Sequence, residues 1–143
     1  MSSVADILSG KGAHVIQIDG DATVFDAVKA MVEANVGALL VTDDDEVVGI
    51  FTERDYLRRI AVEGRRSRAT LVHEVMSAPV ICVTPETGID ESMALMTDRR
   101  IRHAPVIDGG KLVGMVSIGD LVKFQTQQQS FEIKYLKDYI TAR

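Results

Sequence analysis

Two aspartates carry the clearest chemistry in the chain. Asp55 follows Thr52 by three residues and Asp120 follows Ser117 by three, each at the end of a similar stretch. The stretches are Val47-Val48-Gly49-Ile50-Phe51-Thr52-Glu53-Arg54-Asp55 and Leu112-Val113-Gly114-Met115-Val116-Ser117-Ile118-Gly119-Asp120. A hydroxyl at a helix N-cap with an acid three residues later is a capping box, which stabilises a helix start with no ligand present. The glycine three residues before each hydroxyl adds a second signal, because glycine weakens a strand and marks close approach of a backbone or ligand. A helix N-terminus alone favours an anion, yet a carboxylate in the same turn repels one. The partner that suits such a carboxylate is a pair of neighbouring hydroxyls, such as the 2′- and 3′-OH of ribose, each donating a charge-assisted hydrogen bond. Thr52 or Ser117 then meets ribose or phosphate, and the chemistry points to a nucleoside or nucleotide.

A phosphate also needs a cation. Arg102 and His103, in Arg100-Ile101-Arg102-His103-Ala104-Pro105-Val106, supply basic groups ahead of the second stretch. The matched positions of the first half, Asn35-Val36-Gly37-Ala38-Leu39-Leu40-Val41, carry no charge, so the two sites are expected to be unequal. Lys11 and Arg54 are further phosphate candidates. The plain alternatives are a solvated Arg102 and a partly buried, hydrogen-bonded His103.

The elements that would position these residues form an internal repeat. From His14 to Ile60, against Pro79 to Gln125, the two halves match at a constant offset of 65 residues. A lead precedes each, Val4-Ala5-Asp6-Ile7-Leu8 and Val72-His73-Glu74-Val75-Met76. Val15–Ile18 and Val80–Val83 read as short strands. Val24, Val28, Met31 and Val32 recur at helical spacing, as do Ile89, Met93 and Met96, behind the capping signatures Thr23-x-x-Asp26 and Thr87-x-x-Asp90. A hairpin and a second helix starting at Thr52 or Ser117 complete each half. The fold class is therefore α/β, with two tandem β-α-β-β-α repeats at 4–60 and 72–125, a polar linker at 61–71 and an amphipathic C-terminal helix at 126–143. Phe131, Tyr135, Leu136, Tyr139 and Ile140 line one face of that last helix, which is expected to pack on its own domain or on a sister subunit.

Composition sets the outer bounds. The chain has 143 residues, 46% of them hydrophobic and 26% charged, with a net charge of −5, so as a whole it repels nucleic acid. Arg65-Arg66-Ser67-Arg68 reads as a solvated loop. No apolar run approaches the roughly 20 residues that span a bilayer, and the N-terminus reads as cytoplasmic. The single Cys82, in an apolar run, reads as a small buried residue. No metal-ligand spacing, glycine-rich phosphate loop or paired nucleophile is present, so no catalysis is expected.

The repeated signature, together with Arg102-His103-Ala104-Pro105-Val106-Ile107-Asp108 ahead of its second copy, resembles the cystathionine β-synthase (CBS) domain, present twice. The resemblance implies a pseudo-two-fold module with clefts between the repeats. It also implies ligands such as AMP, ADP, ATP, NAD(H) or S-adenosylmethionine, regulation of a partner protein, and a homodimer. Carried over by residue, it makes Asp55 and Asp120 the ribose acids, with Thr52 and Ser117 beside them and Arg102 and His103 toward phosphate. Thr84 becomes a nucleoside contact across from Asp55, and Ile18, Val36, Ile50 and Met115 become apolar walls for adenine. Asp19 stands where the first half would match Thr84, a departure from the pattern. The competing reading is an oligomerising adaptor, free of ligand, in which both signatures only cap helices.

Overall fold

The computed structural model describes residues 2–11 and 15–128. In chain order these form α1 (Val4–Lys11), β1 (Gln17–Asp19), α2 (Val24–Ala34), β2 (Ala38–Asp43), β3 (Glu46–Thr52), α3 (Glu53–Tyr56), α4 (Val72–Val75), α5 (Ile89–Arg99), β4 (His103–Asp108), β5 (Lys111–Ser117) and α6 (Ile118–Gln128). A π-helical turn, Leu57–Ala61, continues α3, and a 3₁₀ turn covers Ser67–Ala69. The apolar C-terminal stripe expected over Phe131 to Ile140 lies outside the described residues.

The chain divides into two compact units, a first made of 14–82 and a second made of 1–13 with 83–143. Each repeat's lead therefore packs in the unit built by the other repeat. α4 buries Val72 and Val75 in the first unit's core, beside Leu39, Phe51 and Ile60. α1 buries Val4 and Ile7 in the second unit's core, beside Val106, Val116 and Leu121.

In the first unit β1 pairs parallel with β2, and β2 antiparallel with β3. Residues 38–41 of β2 are all buried, as an unbroken apolar run in a central strand requires. Asp44 and Asp45 turn the β2–β3 hairpin with φ of 50° and 67°, the left-handed conformation that a two-residue loop needs and that Asp tolerates. Helix α2 starts where Thr23 accepts the Asp26 N–H at 3.1 Å and stops at Asn35, whose φ is 55°. It turns Val24, Ala27 and Met31 inward, whereas Val32 is 73% exposed, outside the expected apolar face. Residues 61–71 are built into this unit rather than left as a bare linker. Thr70 is buried and donates to the Arg66 carbonyl, Arg68 stacks on the Phe25 ring at 3.8 Å, and Arg65 pairs with Glu74. The basic stretch is thus partly held by structure, where a solvated loop was expected. The Leu71 N–H donates to Glu74 at 2.7 Å and holds that carboxyl below its ordinary value.

In the second unit β4 and β5 form a hairpin turned by Gly109 and Gly110, again at positive φ. The strand expected over Val80–Val83 reduces to one bridging residue, because Val83 alone donates to Pro105 and accepts from Ile107. The cap expected at Thr87 falls one residue later, on Gly88, and the Thr87 hydroxyl instead accepts the Thr84 N–H at 3.0 Å. Cys82 is exposed, contrary to the buried reading, although partial burial still pushes its thiol pKa up.

The strand glycines have a structural cause. A methyl group on Gly49 would collide with the Met76 side chain and lie 3.0 Å from the Ser77 carbonyl, and one on Gly114 would lie 2.7 Å from Leu8 Cδ2. Met76 and Leu8 end the two leads, so each glycine makes room for the lead packed over its strand. Gly49→Ala is expected to lower stability by about 1–3 kcal/mol, as other overpacked cores do. Gly114→Ala should cost less, because the end of the Leu8 side chain can swing aside while the Ser77 backbone cannot. Urea unfolding of both variants measures the difference, and equal costs would contradict this account.

Candidate functional site

Both capping boxes are closed. In the first unit the Thr52 N–H donates to Asp55 Oδ2 at 3.1 Å and the Asp55 N–H returns to Thr52 Oγ1 at 3.1 Å. In the second, the Ser117 N–H donates to Asp120 Oδ2 at 2.8 Å and the Asp120 N–H to Ser117 Oγ at 3.0 Å. The structural role open to each signature is therefore realised in both.

Each carboxylate also takes a donor from outside its own turn. Ser77 Oγ donates to Asp55 Oδ1 at 2.9 Å, and Lys11 Nζ donates to Asp120 Oδ2 at 2.7 Å. The two arrangements correspond closely. In the first unit the Ser77 backbone exchanges two hydrogen bonds with Ile50, its N–H reaching the Ile50 carbonyl at 2.9 Å. In the second, Lys11 Nζ reaches the matching carbonyl, that of Met115, at 3.0 Å. One ammonium thus serves both the strand carbonyl and the carboxylate, the two acceptors that Ser77 serves through its N–H and its hydroxyl.

The acids differ in consequence. Asp55 is buried, 7% exposed, with its bonds to neutral donors. Burial alone would raise the Asp120 pKa, but the Lys11 hydrogen bond, the Ser117 N–H and the Lys11 charge outweigh it and hold the carboxyl below its ordinary value.

The remaining candidates fall into place around these two. His103 stands opposite Ser117 in the β4–β5 register and has an interaction of its own, while the Arg102 carbonyl accepts the Ile118 N–H at 2.8 Å with its side chain exposed. Met115 contributes its carbonyl to Lys11, and Ile50 its backbone to Ser77. Ile18 and Val36 pack against the first unit's core, and Arg54 is exposed on α3. Thr84 belongs to the second unit, where its hydroxyl lies 3.1 Å from that of Thr87. Ser77 was not singled out from the sequence. Its role depends on where α4 packs, which no local pattern announces. Among the described residues no three His, Cys, Asp or Glu side chains gather to hold a metal.

The CBS domain model matches residues 4–62 and 72–126, nearly all of both repeats. The chain belongs to the CBS domain family. It is 44% identical, over 97% of its length and 72% of the relative's, to the mitochondrial CBS domain-containing protein CBSX3 of Arabidopsis thaliana. It is 33% identical to the CBS domain-containing protein YhcV of Bacillus subtilis, over 91% of this chain and 90% of that one. Among solved structures it is similar to a protein with CBS domains from Burkholderia ambifaria, at 48% identity and a TM-score of 0.86, covering 90% of this chain and 96% of that one. It is also similar to a hexameric CBS-CP12 protein from bloom-forming cyanobacteria, at 35% identity and a TM-score of 0.77, covering 85% and 70%. CBS domain proteins are in general regulatory, ligand-binding modules. Among the described residues of this CBS pair no helix is long and apolar enough to cross a membrane.

The Lys11–Asp120 pair gives a pH prediction. A carboxyl whose pKa is lowered by folding contributes stability that is complete above its ordinary value, near 3.8. That contribution drains as pH falls through 3.8 and is gone below the folded-state value. Lys11→Met is therefore expected to lose about 0.5–1 kcal/mol at neutral pH, as a half-exposed pair should. The gap to the unsubstituted protein should close as the pH is brought below that range, read as urea midpoints across a pH series. A gap that stays constant with pH would mean that Lys11 stabilises by packing alone.

Proposed function

We propose that this CBS pair is a regulatory sensor that binds adenosine-containing nucleotides (AMP, ADP, ATP or NAD(H)) and passes energy or redox state to a partner protein, without catalysis of its own. The observation that carries this reading is the second donor on each signature carboxylate. Capping a helix occupies the carboxylate toward its own turn, yet Asp55 and Asp120 both reach outward to an exchangeable donor, a hydroxyl and an ammonium. A ribose diol offers the same kind of donor. Thr52 and Ser117 lie beside the acids, and in the second unit Arg102 and Lys11 supply the positive charge that a net charge of −5 makes necessary for an anionic ligand, with His103 as a hydrogen-bonding group opposite Ser117.

Specific binding raises the melting temperature by mass action, so a panel of AMP, ADP, ATP, NAD(H), S-adenosylmethionine and GTP tests the reading directly. At least one adenosine ligand is expected to stabilise the protein, and Asp55→Asn or Asp120→Asn, which keeps an acceptor for the helix cap, should weaken its binding by about 10- to 100-fold. The adaptor reading has its own support in the closed capping boxes and in glycines that the leads fully explain. It predicts no change in melting temperature with any member of the panel.

We further propose that the protein is a homodimer through the first unit. Val32 and Leu57, 73% and 59% exposed, flank an open groove of about 450 Å³ lined also by Val28, Met31 and Tyr56. Exposed apolar side chains grouped in this way mark an interaction surface, and the cyanobacterial neighbour is described as hexameric. Leu57→Glu should shift the mass seen by light scattering to that of the monomer. An unchanged mass would exclude this face from the interface.

A further inference from the structure

We infer that the first unit carries a separate site for a phosphoryl dianion, in the hollow beside Phe25. Phe25, Arg66, Ser67, Arg68 and Ala69 line this open cavity of about 470 Å³. It shares no residue with the Asp55 signature or with Ser77, the outside donor to that acid. The sequence gathers three arginines at 65, 66 and 68, and the structure treats them unequally. Glu74 pairs with Arg65 at 3.3 Å. Among the described residues neither Arg66 nor Arg68 has an acidic partner, although the chain holds 21 acids against 16 lysines and arginines. Two neighbouring cations left without an acid repel each other, and an anion carrying two charges relieves both.

The donors are also held ready. The Arg68 guanidinium carbon lies 3.8 Å from the centre of the Phe25 ring, and stacking on a ring face orients the group while leaving its N–H edge open to a bidentate bond. The backbone beneath is braced. The Ala69 N–H and the Thr70 hydroxyl both donate to the Arg66 carbonyl, at 3.1 and 2.8 Å, and the Thr70 carbonyl accepts the Val24 N–H at 2.8 Å, which ties the loop to the start of α2. Ser67 adds a half-buried hydroxyl to the lining. Two guanidinium groups and a hydroxyl match the three oxygens and near-double charge of a phosphate monoester better than the single charge of a carboxylate. Because the hollow is open, the phosphoryl group can arrive on a phosphorylated side chain or as the free ion.

The test is an NMR titration of the full chain at constant ionic strength, read at the Ser67 and Ala69 amides, with inorganic phosphate, N-acetyl-phosphoserine amide and acetate as probes. Both phosphates are expected to saturate these amides and to bind at least about tenfold more tightly than acetate. Tighter binding of the phosphoserine probe assigns the site to a phosphorylated side chain, and tighter binding of inorganic phosphate assigns it to the free ion. Arg68→Gln should weaken the phosphates by about tenfold, and Arg68→Lys, which keeps the charge without the planar fork, by at least about threefold. Arg65→Gln removes the same charge from the arginine that Glu74 already holds, and should leave binding within about twofold. Amide positions in the rest of the first unit show whether each variant is folded. Shifts that rise with concentration and never saturate, acetate binding as tightly as phosphate, or equal losses in Arg65→Gln and Arg68→Gln would each overturn the inference, and none of these outcomes bears on the nucleotide reading of Asp55 and Asp120.

Discussion

A strand that runs beneath a crossing lead cannot carry a side chain at the crossing point. This packing constraint, met at Gly49 under Met76 and at Gly114 under Leu8, organises much else in each unit. It lets the lead lie close enough to exchange hydrogen bonds with the strand, as Ser77 does with Ile50. It also brings a residue just past the lead, Ser77 directly after Met76 and Lys11 three residues after Leu8, to the signature acid. The glycine, the lead and the aspartate are therefore one arrangement, and the donor presented to the acid is whatever the chain places just past the crossing.

That last position is where the two units diverge. The first unit puts Ser77 there and the second puts Lys11, and everything electrostatic about the sites follows. Asp55 is buried and its hydrogen bonds come from neutral donors. Asp120 is more open and paired with a full charge, and its carboxyl is held ionised to lower pH. A fold repeated with the same hairpins, the same left-handed helix ends at Asn35 and Arg100 and the same capping boxes thus presents two chemically distinct carboxylates.

Much of this was legible in the chain. The 65-residue offset exposed the repeat and its hairpins, and the hydroxyl-to-acid spacing located both capping boxes. Three things escaped. Val80 to Cys82 have the composition of a strand, but only Val83 finds a ladder partner, so propensity was overridden by register. The cap of α5 moved from Thr87 to Gly88 because the Thr87 hydroxyl serves Thr84 instead, and local hydroxyls often have more than one backbone donor within reach. Most important, a lead opens its own repeat in sequence and packs in the other's unit in space. Periodicity identifies an apolar face without naming what covers it, and for that reason neither Ser77 nor the pairing of Lys11 with Asp120 could be read from spacing.

Glycine inside a strand indicates close approach, and in both units the approaching group is the protein itself. Beyond the cap, Asp55 takes the Ser77 hydroxyl on Oδ1, while Asp120 takes the Lys11 ammonium on Oδ2, the oxygen that also serves its cap. Lys11, Arg102 and His103 belong to the Asp120 unit, and the matched positions beside Asp55 include Gly37 and Ala38. The same packing rule that makes the two units alike in fold therefore leaves their carboxylates with different donors, a neutral hydroxyl on Asp55 and an ammonium on Asp120.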